Sequence, residues 1–431
     1  MSRPLSVALA GLGTVGGGVL RLLRDNAEIV TARAGRPIAV TAVSARDRSK
    51  DRGVPVSGLR WYDDPVALAG DPAVDVVVEL IGGSDGPARA LVESAIAAGK
   101  PVVTANKAML AVHGASLAAL AEARGVPLAF EAAVAGGIPV IKALREGLAG
   151  NRISRIAGIL NGTCNYILTQ MRERGREFAD VLADAQKLGY AEAVPSFDVD
   201  GIDAAHKLAI LAALAFGRPV AFDAVYVEGI RRVSALDIAF ATELGYRIKL
   251  LGLAHQAEGG GISARVHPCM VPQSAPIARV DGVFNAVVAE GDFVGRVMLE
   301  GRGAGAGPTA SAVVADLIDI ARGRHTPVWG AAADALSNAP SVPMSTHVGP
   351  YYMRLMVVDR PGVIADVTAV LRDQGISLES MLQRGRAPGE AVPVVLVTHE
   401  TRESAMTAAL ERIEALNTVL EPPTVIRIEA G

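Results

Sequence analysis

Two lysines and one aspartate are the residues of this chain best placed to do chemistry. Lys107 stands in VVTANKAML, just past the carboxyl end of a β-branched run that reads as a strand, and ligands of open α/β sheets gather at that end. Lys207 stands in DVDGIDAAHKLAIL with Asp203 four residues earlier, so on a helix the carboxylate and the ammonium share one face and can pair. A pair of this spacing is more often a surface ion pair. The adjacent polar loop GYAEAVPSFDVDG is what makes it a candidate site. A third feature is Gly11, Gly13 and Gly16 in AGLGTVG, a G-x-G-x-x-G turn between a buried strand and a helix. The first glycine permits the tight turn, the second lets a pyrophosphate approach the backbone, and the third packs helix on strand, with the helix N-terminal N–H groups facing the phosphates. Gly11, Gly13, Thr14, Val15 and Gly16 are therefore expected to bind a dinucleotide; the plainer reading is a turn that serves packing alone.

The dinucleotide is read at the end of the second strand, where an acid would bond the ribose 2′-OH and a base would accept a 2′-phosphate. That strand ends in Val43-Ser44-Ala45-Arg46-Asp47-Arg48. No acid stands immediately at its end, and Arg46 points to NADP, with NAD as the alternative.

The elements that must position these residues are legible in outline. The chain has 431 residues, 50% hydrophobic but only 4% aromatic, so its core is built from Ala, Val, Leu and Ile, as buried parallel sheets are. Strand-like runs at 5–10, 38–43, 74–80, 101–104 and 128–132 alternate with helical patterns, which predicts a Rossmann-type doubly wound parallel sheet over residues 1–135. A segment of about 308–340 is expected to rejoin it. Residues 136–307 lose that rhythm and read as an α+β domain for substrate binding and dimerisation, with helices at 138–148, 165–174, 178–188 and 203–216. Residues 324–346, rich in Pro, Ala and Ser, read as a linker. Residues 349–431 run strand, helix, strand, strand, helix, strand, a ferredoxin-like βαββαβ module.

The 42 basic and 45 acidic side chains leave a formal charge of −3, so no global field attracts nucleic acid or an anionic membrane. The longest apolar run in the helical parts, Leu208 to Phe216, is far short of the ~20 residues of a spanning helix. Two cysteines, Cys164 and Cys269, build neither a disulfide framework nor a multi-thiolate zinc site. A cytoplasmic enzyme is expected.

AGLGTVG, TANK, EAAVAGGIPV, GILNGTCNYIL, GYAEAVPSFDVDGIDAAHK and RGAGAGPTASAV, in this order, resemble the homoserine dehydrogenase family across residues 1 to about 325. VVDRPGVIADVTAVL resembles an ACT domain. The resemblance implies NAD(P)-dependent reduction of L-aspartate 4-semialdehyde to L-homoserine. It further implies Lys207 as proton donor, Asp203 as its orienting partner, and Lys107 bonding substrate and nicotinamide-side groups. Glu192 is expected to take the substrate ammonium, with Asp198 supporting the loop. Gly303 and Gly305 are expected as a further cofactor contact. The carbonyls of Glu131, Val134, Gly136 and Ile138 are expected to hold a monovalent cation, usually sodium, where the plainer reading is a glycine hinge. Val194 departs from the family pattern, which has aspartate there, and Cys164 stands where threonine is commoner.

The turn at Gly362 in DRPG is expected to capture an amino-acid carboxylate, and the resemblance points to L-threonine as effector. The module's open edge strands are expected to pair between subunits of a homodimer or homotetramer. Truncation after Met344 is then expected to keep catalysis and lose inhibition. The rival reading is a non-catalytic sensor of nucleotide and amino acid, against which TANK and the Asp203–Lys207 pair argue. His113, His206, His267 and His399 show no metal-ligand spacing, and His206 is expected to face about 100° away from Lys207.

Overall fold

The computed structural model describes residues 3–257, 259–338, 340–384 and 387–430. Its first part contains β1 (Leu5–Ala10), α1 (Thr14–Asp25), α2 (Ala27–Ala34), β2 (Ile38–Ser44), β3 (Arg60–Tyr62), α3 (Ala67–Gly70), β4 (Val76–Glu79), α4 (Pro87–Ala97), β5 (Val102–Thr104), α5 (Lys107–Arg124) and β6 (Leu128–Ala129). The six strands form one parallel sheet in the order β3-β2-β1-β4-β5-β6. Every residue of β1 is buried, and Val7 pairs with Val40 on one side and Val76 on the other. Small and β-branched side chains suit a strand covered on both faces.

The second part runs α6 (Val140–Lys142), β7 (Ile153–Ile159), α7 (Gly162–Arg174), α8 (Phe178–Lys187), α9 (Ser196–Val199), α10 (Ile202–Phe216), β8 (Tyr226–Val227), α11 (Ala235–Glu243), β9 (Tyr246–Gln256), β10 (Ile262–Pro272), β11 (Phe284–Gly291), β12 (Gly295–Arg302) and α12 (Ala306–Ala321). The last comprises β13 (Val348–Gly349), β14 (Tyr351–Val358), α13 (Val363–Asp373), β15 (Leu378–Gln383), β16 (Ala391–Thr398), β17 (Thr401–Arg402), α14 (Glu403–Glu414) and β18 (Thr424–Ile428). Ten strands from both parts make one mixed sheet, β12-β11-β7-β9-β10-β18-β14-β16-β15, with β8 beside β10. α12 returns to the first sheet, where Gly18 of α1 lies so close to the Ala306 backbone that a Cβ would collide with it.

Four local expectations change. The helix expected over 138–148 is α6 followed by a π-helical turn, Ala143–Gly147, in which Leu148 N–H bonds back to Ala143 O. The domain expected over 136–307, read from its helices, also contains a hairpin of β11 and β12, the second arm running up to a glycine-rich stretch. The expected linker is packed: Trp329 is 1% exposed and meets Phe130 at 5.1 Å, while Glu122 accepts the Val328 and Ala333 N–H groups.

The fourth change concerns the C-terminal module. One of the two edges expected to pair with another subunit is occupied within the chain, because β18 pairs in parallel with β10, Cys269 with Arg427 and Met270 with Ile428, while the other, β15, ends the sheet. Behind this seam Asp237, fully buried on α11, accepts Arg354 Nε at 2.7 Å and the Tyr352 hydroxyl at 3.0 Å, both from β14. Removing one partner of a buried ion pair leaves an uncompensated charge. Truncation after Met344 therefore strips Asp237 of its cation and uncovers β10, so it is expected to cost stability as well as inhibition. Asp237→Ala is expected to lower unfolding free energy by about 3–5 kcal/mol in urea titration. A loss under about 1 kcal/mol would show that the seam is held by other contacts.

Candidate active site

The glycine turn is built as the spacing requires. Gly11 has φ +102°, a conformation that favours glycine, and a Cβ there would stand 2.5 Å from Leu80 O. A Cβ on Gly16 would collide with Gly11 O, so the third glycine allows α1 to pack on the turn. Gly13 has nothing within 4 Å of its Cβ position. Two glycines are thus crowded by protein and the middle one faces open space, which fits a pyrophosphate lying over Gly13 with Thr14 and Val15 opening α1 beneath it. A cleft of about 650 Å³ runs from Gly11 and Gly13 to Arg46, Asp47 and Lys50. Arg46 is exposed at its wall. Arg52 is committed to Leu12 O at 3.2 Å and, with Arg48, lies 5.4 Å from the Trp61 ring centroid. Lys50, Arg52 and Trp61 were not singled out from sequence, because their approach to the strand end follows from the course of the β2–β3 connection.

The two lysines meet at Asp203. Lys207 Nζ donates to Asp203 Oδ2 at 2.7 Å and to Leu160 O at 2.8 Å, and Lys107 Nζ lies 3.2 Å from Asp203 Oδ1. Asp203 and Lys207 come from one face of α10, while Lys107 opens α5 at the carboxyl end of the first sheet, so the triad closes the gap between the two sheets. Lys207 is 9% exposed and Asp203 5%. Burial would raise the Asp203 pKa, but the charges of Lys207 and Lys107, with hydrogen bonds from Lys207 and Asn161, hold it at about 2. Asn161 caps α7 and its Nδ2 bridges Asp203 Oδ2 at 2.9 Å and Asp198 Oδ1 at 2.8 Å. Burial raises the Asp198 pKa above the ordinary carboxylate value, with Asn161 opposing.

Lys107 is set by a buried polar relay. Glu79, fully buried at the end of β4, accepts Ile81 N, Gly82 N and the Thr104 hydroxyl at 2.7, 3.0 and 2.6 Å. Thr104 Oγ1 accepts Asn106 N, and Asn106 caps α5 through Met109 N while its Nδ2 donates to Gly83 O at 2.7 Å. The loop after β4 and the start of α5 are therefore fixed as one unit. Glu79 and Asn161 have local partners too, but the bonds that tie them to the site, to Thr104 and to Asp198 and Asp203, reach far along the sequence.

His206 also belongs here. It is 7% exposed, lies between Phe197 at 5.5 Å and Phe222 at 4.3 Å, and helps to line a pocket of about 430 Å³ with Lys107 and Asn106. Burial, then the Lys107 charge, lowers its pKa and keeps the imidazole neutral near pH 7. Its place on α10 is offset from Lys207 as expected; the pocket reaches it because Lys107 and Phe197 arrive from other elements, and Lys107 Nζ lies 5.7 Å from the Phe197 ring.

The remaining expected residues are more dispersed. Glu192 is exposed on the loop before α9, its carbonyl accepting Gln186 Nε2 at 2.9 Å, and among the described residues no hydrogen bond or ion pair joins its carboxylate to the lysines. Val194 is 76% exposed on the same loop. A Cβ on Gly303 would collide with the Asn285 side chain, and Gly305, at φ +122°, caps α12. In 131–138 Ala135 takes φ +53°, the one left-handed non-glycine among the described residues, and Gly136 follows at +23°. The Ala135 carbonyl accepts Ile138 N–H at 2.8 Å, closing a tight turn. The Ile138 carbonyl accepts Val140 N at 2.7 Å, and the Glu131 carboxylate accepts Ile141 N and Lys142 N, so its side chain anchors α6. Gly362, at φ +97°, caps α13 beside a pocket of about 220 Å³ lined by Asp359, Arg360 and Gln383.

A doubly wound sheet with a glycine turn at one strand end and, beyond the loop 80–83, two ammonium groups on one carboxylate has the layout of a nicotinamide-dependent carbonyl reductase. Known proteins narrow the class. The homoserine dehydrogenase family model matches residues 139–318, the homoserine dehydrogenase NAD binding domain 11–131, and the ACT domain 351–416. Homoserine dehydrogenases of Pseudomonas aeruginosa and Neisseria gonorrhoeae are 49% and 48% identical, with 99% of each chain covered. The crystal structure of a homoserine dehydrogenase from Thiobacillus denitrificans is 50% identical, covers 99% of both chains and superimposes with a TM-score of 0.94. A hyperthermophilic archaeal homoserine dehydrogenase in complex with NADPH, 26% identical, matches 75% of this chain and all of its own with a TM-score of 0.64. The chain belongs to the homoserine dehydrogenase family, with a C-terminal ACT domain. It reduces aspartate semialdehyde to homoserine with a nicotinamide cofactor, and the sensor reading finds no support. Among the described residues no helix is long and apolar enough to cross a membrane.

Proposed function

We propose that this enzyme is a cytoplasmic, NADP-preferring homoserine dehydrogenase in which Lys207 is the proton donor. The observation that carries the reading is the Lys107–Asp203–Lys207 triad, whose Lys107 lines a pocket that adjoins the dinucleotide cleft along the loop 80–83. A dinucleotide whose pyrophosphate lies over Gly11, Gly13 and Gly16 would supply, from its reduced nicotinamide, a hydride to the aldehyde carbon. Negative charge then grows on the aldehyde oxygen, and Lys207 Nζ gives it a proton, leaving a neutral amine that regains a proton from solvent. Asp203 keeps Lys207 oriented, and Lys107 adds a second positive charge to the same pocket. Asp198 holds the substrate loop through Asn161, and Glu192 takes the substrate ammonium once that loop closes, a motion that its present exposure requires.

Residues 1–135 with 308–340 serve the cofactor, 136–307 the substrate and the dimer, and 349–431 regulation. Arg46 supplies the 2′-phosphate contact, and Gly303 and Gly305 close the cleft from the α12 side. Carbonyls of Glu131, Val134, Gly136 and Ile138 hold a sodium ion, supported by the left-handed turn at Ala135. L-threonine binds beside Gly362 and inhibits, in a homodimer or homotetramer. Both cysteines are buried and free, in keeping with a reducing compartment.

Initial rates with NADPH and NADH test the cofactor assignment. Arg46→Ala is expected to weaken NADPH binding by about 1.5–3 kcal/mol, the range for a hydrogen bond to a charged group, and to leave NADH nearly untouched. Equal effects on both cofactors would make Arg46 structural.

A further inference from the structure

The segment between β8 and α11 is held at both ends by groups outside the described chemistry. At one end Glu228 Oε2 accepts Arg427 Nη1 of β18 at 2.8 Å and the Tyr226 hydroxyl at 3.0 Å, and Arg427 is also bonded to Glu403 of α14. Arg427 is 5% exposed, so its place is fixed by these carboxylates. Glu228 N–H is tied to Val266 O of β10 at 2.8 Å, which keeps the segment on the sheet. At the other end, two residues along, Ile230 N–H donates to Val199 O at 2.9 Å. Arg231 grips Asp200 with Nε and Nη2 and donates to Ser196 Oγ at 3.0 Å. Between the two ends Gly229 lies directly against α9. A Cβ there would fall on the Val199 carbonyl oxygen and within 2.5 Å of Asp200 Cα, although the Gly229 backbone is not left-handed. α9 carries Asp198, which shares Asn161 with Asp203.

We infer that Glu228, Gly229 and Arg231 are positioning residues for the semialdehyde, forming a strap by which Arg427 of the ACT domain sets the seat of α9 and with it the substrate loop. Glu228 and Ile230 are separated by Gly229 alone, and each is tied by its N–H to a different neighbour, Val266 O and Val199 O, so a displacement of Arg427 along β18 reaches Val199 through two peptide units without passing through the core. None of the three residues touches the lysine triad, so the strap acts on substrate binding rather than on proton transfer. This rests on the reading that α9 and its flanking loop hold the substrate.

Three full-length variants test it, with KM for aspartate semialdehyde, KM for the nicotinamide cofactor, kcat and Tm measured for each. Glu228→Gln keeps the shape and leaves Arg427 paired with Glu403. It is expected to raise the semialdehyde KM about threefold to tenfold, the range for residues that couple separate sites, with cofactor KM and Tm little changed. Gly229→Ala, which presses on α9 directly, is expected to raise the semialdehyde KM further. Asp198→Asn reports on the loop itself and is expected to raise the same KM. A rise confined to the semialdehyde KM in Glu228→Gln and in Asp198→Asn supports the strap. A rise with Asp198→Asn and none with Glu228→Gln overturns the strap alone. No rise with Asp198→Asn overturns the reading of the loop and the strap with it. Parallel losses in both KM values and in Tm would mean general loosening and also overturn the proposal; if Gly229→Ala does not fold, Glu228→Gln decides.

Discussion

Lys207→Ala is expected to lower kcat by about 10²–10⁴-fold at neutral pH, the usual worth of a positioned general acid, while affinity for the nicotinamide cofactor stays within a few-fold. The reason is geometric. Lys207 Nζ is anchored by Asp203 Oδ2 and Leu160 O, two of its three possible hydrogen-bond partners, which leaves one N–H to meet the aldehyde oxygen. Lys107 is less tightly held, with 30% of its side chain exposed and its ammonium shared between Asp203 and the Phe197 ring, so it cannot replace that donor with the same orientation. Lys207→Arg keeps the charge but not the compact donor, and is expected to recover little. Steady-state rates together with cofactor binding by fluorescence would check this. A kcat loss below tenfold would move the donor role to Lys107.

Asp203→Asn is expected to weaken both fold and activity. Two ammonium groups converge on this carboxylate, and an amide cannot balance them. The folded-state pKa of Asp203 is held at about 2 and its unfolded value is near 4, so the ionised form contributes about 3 kcal/mol of stability at neutral pH. Because the folded pKa is the lower one, that contribution is present above about pH 4 and fades as pH falls from about 4 to 2. Urea titrations of wild type and Asp203→Asn should therefore differ at pH 7 and converge as pH falls to about 2. A gap that persists at low pH would mean the loss comes from packing instead of charge. Activity is expected to fall roughly 10²-fold, since a misplaced Lys207 loses the alignment that proton transfer needs.

The residues of chemistry were legible to different degrees. Asp203 and Lys207 could be paired on sight because helical periodicity alone places i and i+4 on one face. The glycine turn was equally plain, and Gly11, Gly13 and Gly16 each meet the environment their spacing demands. Glu79, Asn161 and His206 gave no sign. Their roles come from partners such as Thr104, Asp198 and Phe197, which are brought to them by other elements.

Local rules of backbone and spacing thus determined the dinucleotide turn, the catalytic helix α10, the alternation of strands and helices in the first part and the βαββαβ succession at the C-terminus. Each depends on torsions and periodicities that act over a few residues. Only the tertiary structure decided that Lys107 meets Asp203, that the expected linker packs Trp329 on Phe130, and that β18 joins β10 instead of waiting for another subunit. Those outcomes turn on which strand edges and buried charges find partners, Asp237 with Arg354 and Glu228 with Arg427 among them. Satisfying buried charges and open edges is a requirement of the whole packed chain, and no window of sequence carries it.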